Sequence, residues 1–132
     1  MIKATLMLLL AILSDSALAE WVRVGSIENG SQTIYANPST IRKHSNTVKM
    51  WSLHDFNTPH SPPDESSTFL SYKQLDAYDC KNEQFRKLSF AFYSGNMGGE
   101  SAVYTDSIPD KWQPFSPESV TEKLWQVACD KN

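Results

Sequence analysis

Apolar and polar residues alternate along most of the chain from residue 20 to about residue 106, which is the period of a β-strand. The first two alternating runs, EWVRVGS and SQTIYAN, flank Asn29-Gly30, a dipeptide that favours the tight type I′ turn of a hairpin. In the next segment, NPSTIRKHSN, Pro38 precedes two hydroxyl residues and predicts a turn or a single helical turn. A second turn is predicted at 44–46.

The segment TVKMWSLHDF predicts a longer strand with apolar side chains on both faces. Val48 and Met50 lie on one face, and Trp51 and Leu53 on the other. Such a strand is typical of a central position in a sheet, where a helix or a second chain covers part of it. The following residues, 57–67, contain three prolines and many polar side chains, so they are predicted to form an exposed loop.

Three further runs, TFLSYKQLDAYDC, FRKLSFAFYS and SAVYTDS, also alternate. The first places five side chains on one face, Leu70, Tyr72, Gln74, Asp76 and Tyr78. The second places Leu88, Phe90 and Phe92 on one face. Between the last two runs lies SGNMGGE, whose glycines suit a hairpin turn; a phosphate-binding loop would carry a lysine where Glu100 stands.

The period changes in the segment SPESVTEKLWQVACDKN. Val120, Leu124 and Val127 recur at helical spacing, and Ser116 with Pro117 predicts the start of a helix. The whole pattern therefore predicts an α+β fold. About six antiparallel strands form a meander, and one C-terminal helix packs on the sheet.

The amino terminus has the layout of a secretory signal peptide over residues 1–19. Lys3 precedes an apolar run at 4–13, and Ala17-Leu18-Ala19 forms a small-residue cleavage site. The run is shorter than the roughly twenty residues that span a bilayer. We therefore expect the protein to be exported, either to the periplasm or to the outer surface and the medium. Residues 20–132 are expected to form a single domain. The predicted site has no cysteine, so no lipid anchor is expected.

Two cysteines, Cys80 and Cys129, follow the predicted leader. An even number of cysteines in an exported protein favours a disulfide, and only one pairing is available. A redox or metal site is the alternative, but it usually carries a C-x-x-C spacing or nearby histidines, and neither occurs here. The predicted disulfide would fasten the helix to the end of the fourth strand.

Charge and composition limit the partners. The chain has a net charge of −3, a pI near 5.5 and 11% aromatic residues, so nucleic acid and anionic membrane surfaces are not expected to bind it. No run after the leader is long and apolar enough to span a membrane.

Seven segments follow one another in a specific order: WVRVGS, IYANPSTIRK, VKMWSLHDF, YDCKNEQFRKLSF, YSGNMGGE, WQPFSPES and LWQVAC. Together they cover nearly all of the chain after the leader and resemble the surface-adhesin protein E family of Gram-negative bacteria. The resemblance implies an antiparallel sheet with a C-terminal helix and a disulfide. It also implies an envelope protein whose relatives bind host extracellular-matrix and serum glycoproteins. Those relatives are outer-membrane lipoproteins, whereas this chain lacks the lipidated cysteine.

Catalytic, metal and cofactor sites are not predicted. The histidines, His44, His54 and His60, lie in a turn, a strand and a loop and show no zinc-ligand spacing. Asp76 and Asp79 are predicted on opposite faces of a strand, and no nucleophile motif occurs. Haem carriage through a histidine and Met97 stays open as an alternative.

The pattern thus favours a non-enzymatic protein that binds a protein ligand. Exposed loops are the predicted contact regions, and their candidate binding residues are Asn96, Met97, His60 and Asp64. Two alternatives remain open at this point. One is a periplasmic structural or assembly partner, including a homodimer formed through a sheet edge or face. The other is a small-ligand carrier.

Overall fold

One antiparallel sheet organises the chain in the computed structural model, which describes residues 20–131. The predicted signal peptide lies outside the described residues. The strands are β1 (Val22–Ile27), β2 (Gln32–His44), β3 (Thr47–His60), β4 (Phe69–Asp79), β5 (Gln84–Tyr93), β6 (Ala102–Asp106) and β7 (Gln113–Pro114). The order in the sheet is β1-β2-β3-β4-β5-β6, and the short β7 pairs with β5. This order confirms the predicted meander, to which β7 is an unpredicted addition.

The first hairpin turns where the sequence predicts it. Asn29 and Gly30 have φ of 59° and 86°, the left-handed conformation that both central residues of a type I′ turn require. The N–H of Ser31 donates to the carbonyl of Glu28 over 3.2 Å and closes the turn.

Strand β2 does not turn at Pro38, so that prediction is wrong. The strand continues to His44, and its pairing with β3 shifts between Asn37 and Arg42. Proline has no N–H and is tolerated at such an irregularity, where the ladder is already interrupted. The hydroxyl of Thr40 fills part of the gap by accepting a 3.0 Å hydrogen bond from the N–H of Trp51. The next turn, at 45–46, follows the prediction, but β3 extends to His60, beyond the predicted start of the proline-rich loop.

The hydrophobic core lies between one half of the sheet and the helix α1 (Val120–Ala128). Its buried side chains are Ile34, Ala36, Val48, Met50, Tyr78, Leu124, Trp125 and Ala128. Val48 and Met50 therefore face the helix, as their alternation predicts. The indole N–H of Trp125 also donates to the carbonyl of Asp79 over 2.9 Å, which ties the helix to the end of β4.

The helix begins three residues later than predicted. Its N-cap is Ser119, not Ser116, and the Ser119 hydroxyl accepts from the N–H of Glu122 over 3.1 Å. Between Pro117 and Ser119 the chain passes through Glu118, whose φ of 64° is incompatible with a right-handed helix. The carboxylate of Glu122 accepts from the N–H of Glu118 and holds this turn.

The predicted disulfide is present. Cys80 follows the last residue of β4, and Cys129 is the C-cap of α1. Their Cα atoms lie 5.6 Å apart, and the bridge joins positions separated by 49 residues. The C-terminal end of the helix is thus joined covalently to the end of β4, a central strand of the sheet.

A bulge in β5 changes one predicted face. Leu75 pairs with Ser89 and Asp76 pairs with Lys87, which leaves Leu88 without a register partner. Lys87 therefore shares a face with Phe90, and its Nζ lies 4.7 Å from the centre of that ring. Phe90 and Phe92 share a face as predicted, because they pair with Gln74 and Tyr72, whereas the bulge leaves Leu88 outside the register.

Candidate functional site

The helix packs on β1, β2 and β3, and beside it the same face of the sheet carries a continuous group of aromatic rings. We call this group the aromatic stripe; its members are His54, Phe56, His60, Phe69, Tyr72, Phe90, Phe92 and Tyr104. Most of these side chains are half-buried, Phe69 is buried and His60 is exposed. An apolar surface of this kind is open to a ligand.

Strand register builds the stripe. His54 pairs with Tyr72, Tyr72 with Phe92, and Phe92 with Tyr104, so four consecutive strands each place one ring in a single row. Directly paired residues of an antiparallel sheet have their Cβ atoms about 5 Å apart, within reach of ring contact. The alternation of the sequence supplies the aromatic residues, and the meander aligns them.

The rings of the stripe contact one another closely. His54 and Tyr72 stack with centroids 4.2 Å apart, and Phe69 and Phe92 stack at 4.0 Å. Tyr104 lies 5.6 Å from Phe92 and extends the group to β6. Because each ring is held by its neighbours, the surface is rigid, and little side-chain entropy would be lost when a ligand binds.

A shallow cavity of about 220 Å³ opens within the stripe. Its walls are Phe69, Tyr72, Gln74, Lys87, Phe90 and Phe92. Beneath it lies Asp76, 2% exposed, whose carboxylate accepts from Gln74 Nε2 at 2.9 and 3.1 Å and from the Tyr78 hydroxyl at 3.3 Å. The cavity thus combines aromatic walls with one cation, Lys87, which also lies 3.7 Å from Asp110.

Burial shifts the pKa of three groups around the stripe. It lowers the pKa of His54 to about 4, so the ring is neutral at pH 7. Burial raises the pKa of Tyr72 to about 12 and that of Asp76 to about 6. For Asp76 the hydrogen bonds from Gln74 and Tyr78 act in the opposite direction and offset part of that rise.

The neutral state of His54 agrees with its contacts. Nδ1 lies 3.0 Å from Gln32 Nε2, and Nε2 lies 3.3 Å from the Ser52 hydroxyl. A ring that accepts at Nδ1 and donates at Nε2 satisfies both neighbours. The histidine acts here as an aromatic member of the stripe, stacked on Tyr72.

The glycine-rich segment between β5 and β6 folds back over the other face of the sheet, at its end. A short 3₁₀ turn at Asn96–Gly98 is held there by two side chains. The Ser71 hydroxyl donates to the carbonyl of Gly95 over 2.6 Å and accepts from the N–H of Gly98 over 2.8 Å. One oxygen of the Asp55 carboxylate accepts from Asn96 Nδ2 and from the N–H of Met97, at 3.0 and 2.8 Å. The segment is an anchored turn, as predicted.

The four candidate residues from the sequence are only partly brought together. Asn96 Nδ2 also donates to the carbonyl of Phe56 over 2.9 Å, and the Phe56 ring lies 4.3 Å from His60, so Asn96 and His60 share one end of the sheet. Met97 is half-buried in the turn. Asp64 lies in the loop 61–68 and accepts from the N–H and hydroxyl of Ser66.

Within residues 20–131 no three histidine, cysteine, aspartate or glutamate side chains converge in a way that would hold a metal ion. The same residues contain no helix long and apolar enough to cross a bilayer.

Sequence reasoning missed the aromatic stripe as a site. The signal was available in the aromatic residues at alternate positions of FAFY and in Tyr72 and Tyr104. These positions were assigned to strand faces, but which rings meet depends on register, and register was not predicted.

The chain is similar to one protein family and to several solved structures. A family model described as surface-adhesin protein E matches residues 21–130. The chain is similar to a crystal structure of protein E from non-typeable Haemophilus influenzae, with a TM-score of 0.65 and 14% sequence identity. The match covers 85% of this chain and 76% of the protein E chain. A second structure of Haemophilus influenzae protein E has a TM-score of 0.63, 13% identity and coverage of 82% and 83%. No curated protein sequence matches the chain.

Proposed function

Because the chain belongs to the surface-adhesin protein E family, we propose that it is an exported, non-catalytic binding protein whose ligand is a host extracellular-matrix or serum glycoprotein. The family supports an adhesin-like surface protein, and the solved structures of protein E support the shared fold. The ligand and the site on this chain are our proposal.

The aromatic stripe is the observation that carries this proposal. Tyrosine and phenylalanine are enriched in the centres of protein interfaces, where large rigid rings bury much area at a small entropic cost. Phe90, Phe92 and Tyr104 remain half-buried on the helix-bearing face, toward the β6 edge of the sheet and away from α1. A protein ligand that covers them would remove apolar surface from water, at roughly 25 cal/mol per Å².

Polar residues at the end of the stripe provide the rim of the proposed interface. His60 is exposed beside Phe56, and the loop 61–68 follows it with Asp64. Asn96 and Met97 border the same end of the sheet. In this proposal His60 and Asp64 contact the ligand, while Asn96 chiefly positions the turn that carries Met97.

The test combines location with binding. Intact cells that produce the protein are treated with protease, and the protein is followed by antibody together with a periplasmic marker. The purified protein is then passed over immobilised mammalian matrix glycoproteins, including fibronectin and laminin. We expect the protein to be cleaved on intact cells while the marker survives, and at least one glycoprotein to bind it.

The site is tested with a Phe90→Ala, Tyr104→Ala double variant. It should weaken binding about tenfold or more, because truncated aromatic anchors commonly cost 2 kcal/mol or more. Tyr35→Ala, a half-buried aromatic residue on the opposite face, is the matched control and should bind normally. The melting temperature of each variant is measured so that unfolding is recognised. Equal binding by the folded double variant would refute the stripe as the site.

A second copy of the chain is the main competitor for the stripe. Sedimentation of the wild type and the double variant distinguishes the cases. If the wild type is a dimer, the variant is a monomer and no glycoprotein binds, the stripe serves self-association. Protection of the protein from protease on intact cells would instead favour the periplasmic assembly role.

A further inference from the structure

The face of the sheet opposite the helix carries a basic side chain from each of the first five strands. We call it the basic face; its cations are Arg23, Arg42, Lys49, Lys73 and Arg86. The first three are exposed, and the last two are half-buried. On a chain with a net charge of −3, such a concentration of cations on one face is a local feature of the surface.

Register places these cations in two rows. In the first row Arg42 pairs with Lys49, Lys49 with Ala77, and Ala77 with Arg86. Neighbouring strands lie about 4.8 Å apart, so three cations fall within about 15 Å along this row.

The second row contains Arg23 and Lys73. It runs from Arg23 through Tyr35 and Leu53 to Lys73 on adjacent strands. Because the two rows are four residues apart along β3, they are separated by about 13 Å. The basic side chains therefore stand on two sides of a central strip.

The central strip is aromatic. Its row pairs Asn37 with Trp51 and Trp51 with Leu75. An open cavity of about 320 Å³ lies over it, with Trp21, Asn37, Thr40, Trp51, Lys73 and Tyr93 as its walls. The Lys73 Nζ lies 5.0 Å from the centre of the Tyr93 ring. Among the described residues that line the cavity, lysine is the only charged type.

One polar side chain in the wall of this cavity is held in place. Asn37 is only 6% exposed, and its Oδ1 accepts from the Ser39 hydroxyl over 2.6 Å. With that oxygen engaged, Nδ2 is the donor that the side chain offers to a ligand in the cavity.

One cation of the first row is held by an aromatic ring. The guanidinium of Arg86 stacks on Trp112, with Cζ 5.1 Å from the ring centre. Its Nε is buried without a hydrogen-bond partner in the described part of the chain, so that atom is not accessible to a ligand. Arg86 therefore contributes a positive charge in a fixed position to the first row.

Acidic groups on this face lie at its ends and are already engaged. Asp55 accepts from Asn96 and Met97, as described above, and Asp79 accepts from the N–H groups of Lys81 and Asn82. At the rim, the exposed Glu20 accepts from Ser39. The centre of the basic face thus presents donors and cations.

We infer that the basic face binds an acidic polysaccharide, with sugar rings against Trp51 and Trp21 and carboxylate or sulfate groups at the flanking cations. Aromatic rings provide an apolar floor for the faces of sugar rings, and Asn37 and Lys73 provide donors for their oxygens. The two cationic rows flank that floor. Acidic groups that project from sugar rings lying on the floor would therefore meet a cation on either side. This inference rests on the proposed function, because surface display brings the protein to matrix polysaccharides.

Nucleic acid is the less favoured occupant. Its base planes would also stack on tryptophan, but proteins that bind it by charge are generally basic as whole domains, with pI above about 9, whereas this chain has a pI near 5.5. An anionic membrane presents a broad surface and would not fill a concave cavity of about 320 Å³.

The test uses four immobilised probes and the purified protein, residues 20–132. Heparin carries sulfate and carboxylate, dextran sulfate carries sulfate alone, hyaluronan carries carboxylate alone, and dextran is neutral. We expect retention on at least one acidic polysaccharide, none on dextran, and release by salt as the charges are screened. The first three probes distinguish which anion is recognised. Absence of retention on all three acidic probes at low salt would overturn the inference.

The site is tested with Arg23→Gln, Arg42→Gln and Lys49→Gln combined. These side chains are exposed, so the fold should persist, and affinity should fall about tenfold or more. Lys81→Gln, Lys123→Gln and Lys131→Gln combined make the same change in net charge at exposed positions elsewhere and should bind like the wild type. Equal loss in both variants would show attraction by total charge and overturn the site.

Two further measurements complete the test. Trp51→Ala should weaken binding while the cations remain, and a normal affinity in a folded Trp51→Ala protein would overturn the aromatic floor.

A single-stranded oligodeoxynucleotide and phosphatidylserine vesicles are offered in competition with heparin; tighter binding of either would replace the polysaccharide as the occupant. Because the Phe90→Ala, Tyr104→Ala variant leaves the basic face intact, loss of glycoprotein binding and loss of polysaccharide binding are separately measurable.

Discussion

The carboxylate of Asp55 on β3 accepts a 2.8 Å hydrogen bond from the backbone N–H of Met97, which lies 42 positions later in the chain. Met97 has a φ of 56°, a conformation that costs a non-glycine residue about 1 kcal/mol or more. The hydrogen bond from Met97 and the one from Asn96 hold this conformation against the end of the sheet. The turn is thus positioned by β3, although it connects β5 and β6.

Asp55→Ala should release the glycine-rich turn without unfolding the sheet. Removal of the acceptor leaves the Met97 N–H unpaired, a loss of roughly 1 to 3 kcal/mol for a bond to a charged group. Amide hydrogen exchange at Met97 and Gly98 should accelerate about tenfold or more, while amides in β4 keep their rates. Asp106→Ala, which removes the acceptor for the Ile108 N–H in another turn, is the control. Unchanged exchange at Met97 would contradict the anchoring role.

Gly98→Ala should destabilise the protein slightly more than Gly30→Ala, because only the flexible end of the Lys73 side chain must move aside. Both glycines have positive φ, 70° and 86°, so both substitutions carry a similar backbone cost of about 1 kcal/mol. A Cβ at Gly30 meets open space, whereas one at Gly98 would lie 2.5 Å from Lys73 Cε. The difference in the free energy of unfolding, measured with urea, reports the displacement of Lys73. It should vanish when Lys73→Ala is present in both backgrounds; a difference that persists would place the strain elsewhere.

The Cys80–Cys129 bridge should provide a large part of the stability. In the chain-entropy model, a loop of about fifty residues gives about 4 kcal/mol. The Cys80→Ala, Cys129→Ala double variant should therefore unfold at a much lower urea concentration than the wild type. A reductant should lower the urea midpoint of the wild type and leave that of the variant unchanged. Equal midpoints for the oxidised wild type and the double variant would show that core packing alone holds α1.

His54 should weaken the fold as the pH falls. Its pKa is about 4 in the folded state and 6.5 when unfolded, so between these values the unfolded chain binds the extra proton. Stability is therefore lost as the pH falls from 6.5 to 4, by about 3 kcal/mol. Asp76 acts in the opposite direction, because its folded pKa of about 6 exceeds the unfolded 3.8 and the folded state takes up the proton first.

A His54→Gln variant separates these two effects. With the histidine removed, Asp76 should make the protein more stable as the pH falls from 6 to 4, whereas the two effects nearly cancel in the wild type. Urea unfolding at a series of pH values measures both curves, and His44→Gln, at an exposed position, is the control. Parallel curves for the wild type and His54→Gln would show that His54 titrates normally in the folded protein.

Local patterns predicted the elements well and their boundaries less well. The hairpin at Asn29-Gly30 and the pairing of Cys80 with Cys129 depend on residues that act locally or have one available partner. The turn predicted at Pro38 and the cap predicted at Ser116 are wrong. In the first case β3 continues to pair beyond the proline, and in the second a left-handed Glu118 delays the helix.

The α+β meander, the C-terminal helix and the disulfide follow from the order of residues along the chain, because alternation, helical spacing and the cysteine count are local properties of that order. Which side chains meet depends instead on how the strands pair in the folded protein. The row from His54 to Tyr104 and the row from Arg42 to Arg86 each cross four strands, and a shift of one residue in any strand would disperse them. Register depends on packing against α1 and on bulges such as that at Leu88. Neither can be predicted from the sequence of a single strand.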